Sequence, residues 1–162
     1  LVLRYHYLMN VGYQKNYAPE QPIPFSHAWH AGNMGISCLY CHGNAEKGKH
    51  AGIPSTDTCL SCHQVVRTDS PLIQKIHESK ETGKPIEWIK VNKLPDHAKF
   101  NHSVHINAGV SCIDCHGQVE KMDKVKQVKD LSMGWCLDCH RNVQKNHPQK
   151  IFTNQNCSFC HF

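Results

Sequence analysis

Five copies of Cys-x-x-Cys-His use every cysteine of this chain: Cys38, Cys41 and His42; Cys59, Cys62 and His63; Cys112, Cys115 and His116; Cys136, Cys139 and His140; Cys157, Cys160 and His161. In this spacing two thiols form thioethers with one porphyrin, and the His that follows supplies the proximal ligand of its iron. A lone Cys-x-x-Cys also suits half a zinc site or a redox pair, and ten cysteines also suit a disulfide framework. None of those chemistries needs a His directly after the second Cys. Five motifs that leave no cysteine over therefore predict five covalently attached haem c groups.

A low-spin haem iron needs a sixth ligand, and nine of the 14 histidines lie outside the motifs: His6, His27, His30, His50, His77, His97, His102, His105 and His147. The pairs His27/His30 and His102/His105 are the leading distal candidates, because side chains three apart share one helix face and can address two adjacent haems. His97, just upstream of the second pair, is the first choice for the fifth iron by position. Met133 and Met122 stand behind it, and a Met ligand would raise that haem's potential. His50, His77 and His147 are expected to be exposed or bound to a propionate. Trp29, Trp88 and Trp135 are expected to pack on haem faces or edges.

The elements that position these groups follow from an internal repeat. Phe25-Ser-His27-Ala-Trp-His30 precedes Gly35-Ile-Ser-Cys38, and Phe100-Asn-His102-Ser-Val-His105 precedes Gly109-Val-Ser-Cys112. The phenylalanines lie 75 positions apart and the first cysteines 74, so one residue has been gained or lost between the copies. Each copy then carries a second motif, at Cys59 and Cys136. The domain reading is an N-terminal arm over 1–24, a first dihaem module over 25–70, a linker over 71–99, a second dihaem module over 100–145 and a fifth-haem segment over 146–162. The fold class is mainly irregular with short α-helices, the haems forming the core. The linker should hold one longer helix, with Ser70 as N-cap, Pro71 in its first turn, Leu72, Ile73 and Ile76 on one face, and Gly83 and Pro85 closing it. Residues 86–91 suggest a short strand.

Sharing 162 residues among five haems leaves about 32 each, too few for a conventional apolar core around every one. A mean hydropathy of −0.53 agrees. Covalent haem and axial ligation must supply the missing burial, so the apoprotein is expected to be unfolded. The formal charge of +5 is partly offset by propionates, and no Lys/Arg run forms a nucleic-acid patch. Lys121, Lys124, Lys126 and Lys129 alternate with apolar residues as a solvated face. No run approaches the roughly 20 apolar residues of a membrane span; Leu1 to Met9 is apolar but broken by Arg4 and His6, and reads as an ordered arm or the end of an incomplete membrane anchor. Haem is attached to such motifs after export, so the periplasmic side of the bacterial cytoplasmic membrane is the expected location.

With these residues in hand, the chain resembles the multihaem cytochromes related to cytochromes c3 and c7, in which Phe-x-His-x-x-His precedes Cys-x-x-Cys-His. Gln21-Pro-Ile-Pro-Phe-Ser-His27, Leu94-Pro-Asp-His97 through Phe100-Asn-His102, and Leu131-Ser-Met-Gly-Trp-Cys136 are further similar to the pentahaem subunits of alternative complex III. That resemblance implies an electron-transfer subunit of a membrane quinol oxidoreductase in the respiratory chain. Its neighbours would be an iron-sulfur subunit and integral membrane subunits, its acceptor a monohaem cytochrome c or a terminal oxidase, and its membrane association would come through an anchor or those partners. The alternatives are a soluble periplasmic electron shuttle and a multihaem reductase with one open haem site. The supply of spare His and Met argues against the reductase. No catalytic residue is expected on this chain.

Overall fold

The structure is a computed structural model that describes Arg4, residues 13–146 and residues 156–161. Seven α-helices order these residues: α1 (Cys38–Cys41), α2 (Thr56–His63), α3 (Pro71–Thr82), α4 (His102–Asn107), α5 (Cys112–His116), α6 (Met133–Asn146) and α7 (Cys157–Cys160). A π-helix spans Ala28–Asn33, and 3-10 turns span Gly43–Glu46 and Val119–Lys121. The architecture is mainly irregular with short helices, as the sequence predicts. No strand occurs among the described residues, where the one isolated bridge joins Ala98 to His161.

The expected strand over 86–91 is corrected by this structure. Its backbone meets a side chain rather than a neighbouring strand: Gln21 Nε2 donates to the Ile89 carbonyl and Gln21 Oε1 accepts from the Ile89 N–H, both at 2.9 Å. The amide of Gln21 thus satisfies both polar groups of one residue, and no ladder is needed. The linker helix α3 forms as read from the sequence. Ser70 occupies the N-cap, Pro71 the first turn, and Gly83 closes the helix at φ 69°, a left-handed conformation that glycine adopts without a Cβ clash.

Ile73 and Ile76 of α3 pack with Ile23 and Leu60 into the main apolar cluster, flanked by Leu72, Ile86, Trp88 and Cys59. Only one further apolar residue, Ala45, is buried among the described residues. Among the described residues the buried apolar core is thus confined to this small cluster and Ala45.

The two copies of the repeat clasp each other reciprocally. Ser103 N of the second copy donates to Gly48 O behind the first motif at 3.2 Å, and Ala28 N of the first copy donates to Met122 O behind the third motif at 3.0 Å. These bonds are equivalent under the repeat. So are Asn107 Nδ2 to Glu46 O, at 3.2 Å, and the approach of Gly32 to Glu120 O. The extra residue of the first copy is absorbed in the π-helix, where Met34 N reaches back five residues to Trp29 O. Beyond it the register is restored: Ile36 N bonds His30 O and Val110 N bonds His105 O, both at 3.1 Å.

Gln127 is the one fully buried side chain among the described residues. Its Nε2 donates to Lys129 O at 2.9 Å and its Oε1 accepts from Lys93 N at 3.3 Å. Its backbone pairs with Asn16 and Tyr17, tying the N-terminal arm and the linker to one point.

Candidate haem-binding site

Local capping presents the first, third and fifth motifs at the start of a helix, whereas the second ends α2, whose N-cap Ser55 makes no side-chain hydrogen bond. Ser37 Oγ accepts from Leu39 N, Asn156 Oδ1 from Ser158 N, and Ser111 forms a capping box with Asp114. The fourth motif lies in the first turns of α6, where Ser132 Oγ accepts from Trp135 N at 3.1 Å. A cap directly before the first cysteine puts the two thiols one turn apart, with the following His at the end of that turn.

The histidines outside the motifs meet those inside them in pairs. Ring centroids are 6.2 Å apart for His30 and His63, 6.4 Å for His102 and His116, and 6.1 Å for His105 and His140. His27 lies beside His42. Two metal–nitrogen bonds of about 2 Å and two ring radii of about 1.1 Å span roughly 6.3 Å, so these separations fit an iron held between two imidazoles. His97 stacks on His161 at 5.5 Å, and that pair needs to open by about 0.8 Å to reach the same span. The Ala98–His161 bridge and the bond from Lys99 N to Cys160 O, at 2.8 Å, hold the fifth motif against His97.

Ring orientation supports the same chemistry. A carbonyl can only accept, so a His whose Nδ1 meets one carries its proton there and leaves the Nε2 lone pair for a metal. This holds for His30 with Ser26 O (2.8 Å), His42 with Gly52 O (2.7 Å), His63 with Val66 O (3.0 Å), His102 with Lys49 O (2.7 Å), His105 with Asn101 O (2.9 Å) and His161 with His97 O (3.3 Å). Phe25 and Phe100 stack on His30 and His105 at 4.4 and 4.5 Å, fixing the second ring of each pair. These carbonyls and rings are the supporting groups that the motifs alone did not reveal. Among the described residues, His97, His116 and His140 make no such bond, and the Nδ1 of His27 is buried without a partner. Burial, then the neighbouring His42 and His30, push its pKa down to about 4. Burial, then His102 and His42, also lower that of His116.

None of the ten cysteines is paired in a disulfide. They line one connected cavity of about 3490 Å³, together with the ten paired histidines. A single small-molecule pocket has roughly 300–1,000 Å³. This cavity is several times larger and is shaped by residues from every helix. Trp29, Trp88 and Trp135 also line it. Trp29 is 56% exposed, and Trp88 doubles as a flank of the Ile cluster.

Neighbouring thiols order the motifs in space. Burial and then Cys41 raise the pKa of Cys59, burial and then Cys38 raise that of Cys112, and burial and then Cys160 raise that of Cys136. Cys115 is pushed up to about 11, chiefly by burial and then by Cys139. The spatial succession is therefore second, first, third, fourth, fifth.

The remaining candidates fall elsewhere. Met133 opens α6 with 64% of its surface exposed, and Met122 contributes its carbonyl to Ala28. His77 Nε2 bonds the His63 carbonyl at 3.2 Å, and His50 is exposed. His6 and His147 lie outside the described residues. Among the described residues, no cluster of three or more His, Cys, Asp or Glu converges on one point, and no helix is long and apolar enough to cross a membrane.

Residues 98–162 match the family of cytochrome c7 and related cytochrome c. That stretch contains the third, fourth and fifth motifs. A stretch of 98 residues is also 38% identical to the menaquinone reductase, multiheme cytochrome c subunit, of Nitratidesulfovibrio vulgaris strain Hildenborough, covering 60% of this chain and 46% of that protein. The chain thus spans under half the length of that relative. Residues 98–162 are thus similar to a family of c-type cytochromes, and the short-helix architecture is consistent with that similarity.

Proposed function

We propose that this chain is an electron-transfer subunit of a membrane quinone or quinol oxidoreductase, carrying five haem c groups and no catalytic site of its own. The ten thiols would hold the porphyrins. Their irons would take His42 with His27, His63 with His30, His116 with His102, His140 with His105, and His161 with His97. The observation that carries this reading is the set of facing imidazoles, which leaves neither side of an iron open to a substrate.

Haem supplies reversible one-electron chemistry. The polypeptide would bind each porphyrin covalently, and it rests at least one ring of every facing pair on a backbone carbonyl. Electrons would pass along the spatial succession of the motifs, so the segments at 59–63 and 157–161 would be the two ends of the path. The modules at 25–70 and 100–145 would each contribute one distal pair that serves two neighbouring irons.

The similarity to a menaquinone reductase subunit supports partner subunits and a quinone pool as redox partner. The resemblance to alternative complex III extends this to an iron-sulfur subunit, membrane subunits and a monohaem cytochrome c or oxidase, on the periplasmic side of the membrane. Low-temperature EPR of the oxidised holoprotein, with optical spectra of the reduced protein under carbon monoxide, tests the conduit. Five low-spin centres that ignore carbon monoxide are expected; a high-spin centre that binds it would establish an open site and overturn the reading. Purification from membranes with a menaquinol analogue as reductant tests the assembly, and haem reduction lost on removal of the co-purifying subunits is expected.

A further inference from the structure

One buried amide gathers three segments that lie far apart in sequence. Asn16 N donates to Gln127 O at 2.7 Å and Gln127 N to Tyr17 O at 3.0 Å, while the Gln127 side chain accepts from Lys93 N and donates to Lys129 O. Within two residues of these contact points the charged side chains are Lys15, Lys93, Lys126, Lys129 and Asp130. Lys93 and Asp130 border the haem cavity, whereas Lys15, Lys126 and Lys129 do not. Lys15 and Lys126 are exposed and Lys129 is half-buried, so porphyrins filling the cavity leave these three lysines as they are.

The fold sorts charge by side at this node. The nearest carboxylates along the three segments, Glu20, Glu87, Asp96, Asp123 and Asp130, all border the cavity. Two of them are engaged there, Glu20 with Lys124 and Asp123 with Ser26 Oγ. Away from the cavity a tight turn, closed by Tyr17 N on Gln14 O at 2.9 Å with Asn16 at φ 69°, sets Lys15 at its corner.

The neighbouring sequence indicates what such a face meets. The apolar stretch Leu1 to Met9 ends six positions before Lys15, a reach of at most about 20 Å. Tyr17 is exposed beside the lysines and does not border the cavity either. Lysines next to an apolar segment, with a tyrosine among them, suit the headgroup level of a bilayer. An acidic protein would suit the lysines but leave the apolar stretch without a role.

Resting on the membrane-bound reading of the preceding section, we propose that Lys15, Lys126 and Lys129, assembled by Gln127, form a face that docks on anionic phospholipid headgroups. The contact orients the holoprotein with this node toward the bilayer.

The test is co-sedimentation of the full-chain holoprotein with vesicles of phosphatidylcholine alone and with vesicles containing about 30% phosphatidylglycerol. Leu1 to Met9 contributes to both, so the ratio of the two partition coefficients isolates the lysines. Each lysine near an anionic surface is worth roughly fivefold in binding. Lys15→Gln/Lys126→Gln should therefore lower the ratio roughly 25-fold. Lys47→Gln/Lys145→Gln removes the same charge from exposed positions on other segments and should lower it by less than about threefold. Soret circular dichroism matching the wild type checks that both variants fold. A wild-type ratio near one would overturn the proposal, and so would equal losses in the two double variants, which would mean that net charge alone attracts the protein. If Lys15→Gln/Lys126→Gln keeps the lipid ratio but no longer co-purifies with its partner subunits, the face belongs to an acidic protein and the proposal fails. Carbon monoxide binding by the reduced holoprotein would refute the electron conduit and leave the lipid ratio unchanged, so the two readings fail separately.

Discussion

Replacing Gly32 by alanine tests whether the two repeats lock together as described. A Cβ at Gly32 would lie 2.3 Å from Glu120 O and 3.5 Å from Glu120 C, both backbone atoms that cannot swing aside. Restoring an ordinary contact requires the Ala28–Asn33 turn and the Val119–Lys121 turn to part by about 1 Å, and overpacking of this kind costs roughly 1–3 kcal/mol. Alanine recovers about 0.4–1 kcal/mol by restricting the unfolded chain, which leaves a net loss of roughly 1–2 kcal/mol. For a chain of this length each kcal/mol moves the melting temperature by about 2–4 °C, so Gly32→Ala should melt roughly 2–8 °C lower. Gly43 is the control, because a Cβ there meets nothing within 4 Å and its φ is not left-handed. Gly43→Ala should melt at or slightly above the wild type. The assay is Soret circular dichroism on heating, with carbon monoxide binding measured at 20–25 °C, about room temperature. Parting the two turns also displaces His27 and His30, so the variant should bind some carbon monoxide when reduced. A Gly32→Ala protein that melts with Gly43→Ala and ignores carbon monoxide would refute the reciprocal clasp.

Other perturbations probe separate parts of the argument. His97→Ala should convert one low-spin centre to a high-spin, carbon monoxide-binding one by EPR, whereas Met133→Leu and Met122→Leu should leave all signals in place. Gln127→Leu strands the Lys93 N–H and the Lys129 carbonyl and should cost about 1–3 kcal/mol in guanidinium unfolding. Ile76→Val removes one methylene from the cluster between α2 and α3 and should cost about 0.5–1.5 kcal/mol by the same measurement. Chain produced without haem attachment should give a far-ultraviolet spectrum lacking helix, since the apolar cluster is too small to hold the fold alone.

Sequence by itself marked the five Cys-x-x-Cys-His segments as candidate attachment points. Cys-x-x-Cys-His is a local pattern, and its meaning survives whatever the chain does between copies. The same holds for α3, whose N-cap serine, first-turn proline, apolar face and closing glycine act within 14 residues, from Ser70 to Gly83. The repeat was equally legible, and the pairs His27/His30 and His102/His105 stood out within it as candidates because spacing of three on a helical turn is a local constraint. The strand expected over 86–91 was not secured, because a strand depends on a partner, and Gln21, 68 residues away, satisfies Ile89 instead. Position made His97 a candidate for the fifth iron but did not bring it to His161. That was decided by the bridge between Ala98 and His161 and the bond from Lys99 to Cys160, contacts across some 60 residues. The succession second, first, third, fourth, fifth, and the difference between His27 and His102, belong wholly to the tertiary structure. Two copies with one motif can differ in a backbone carbonyl, and a carbonyl carries no mark in the sequence.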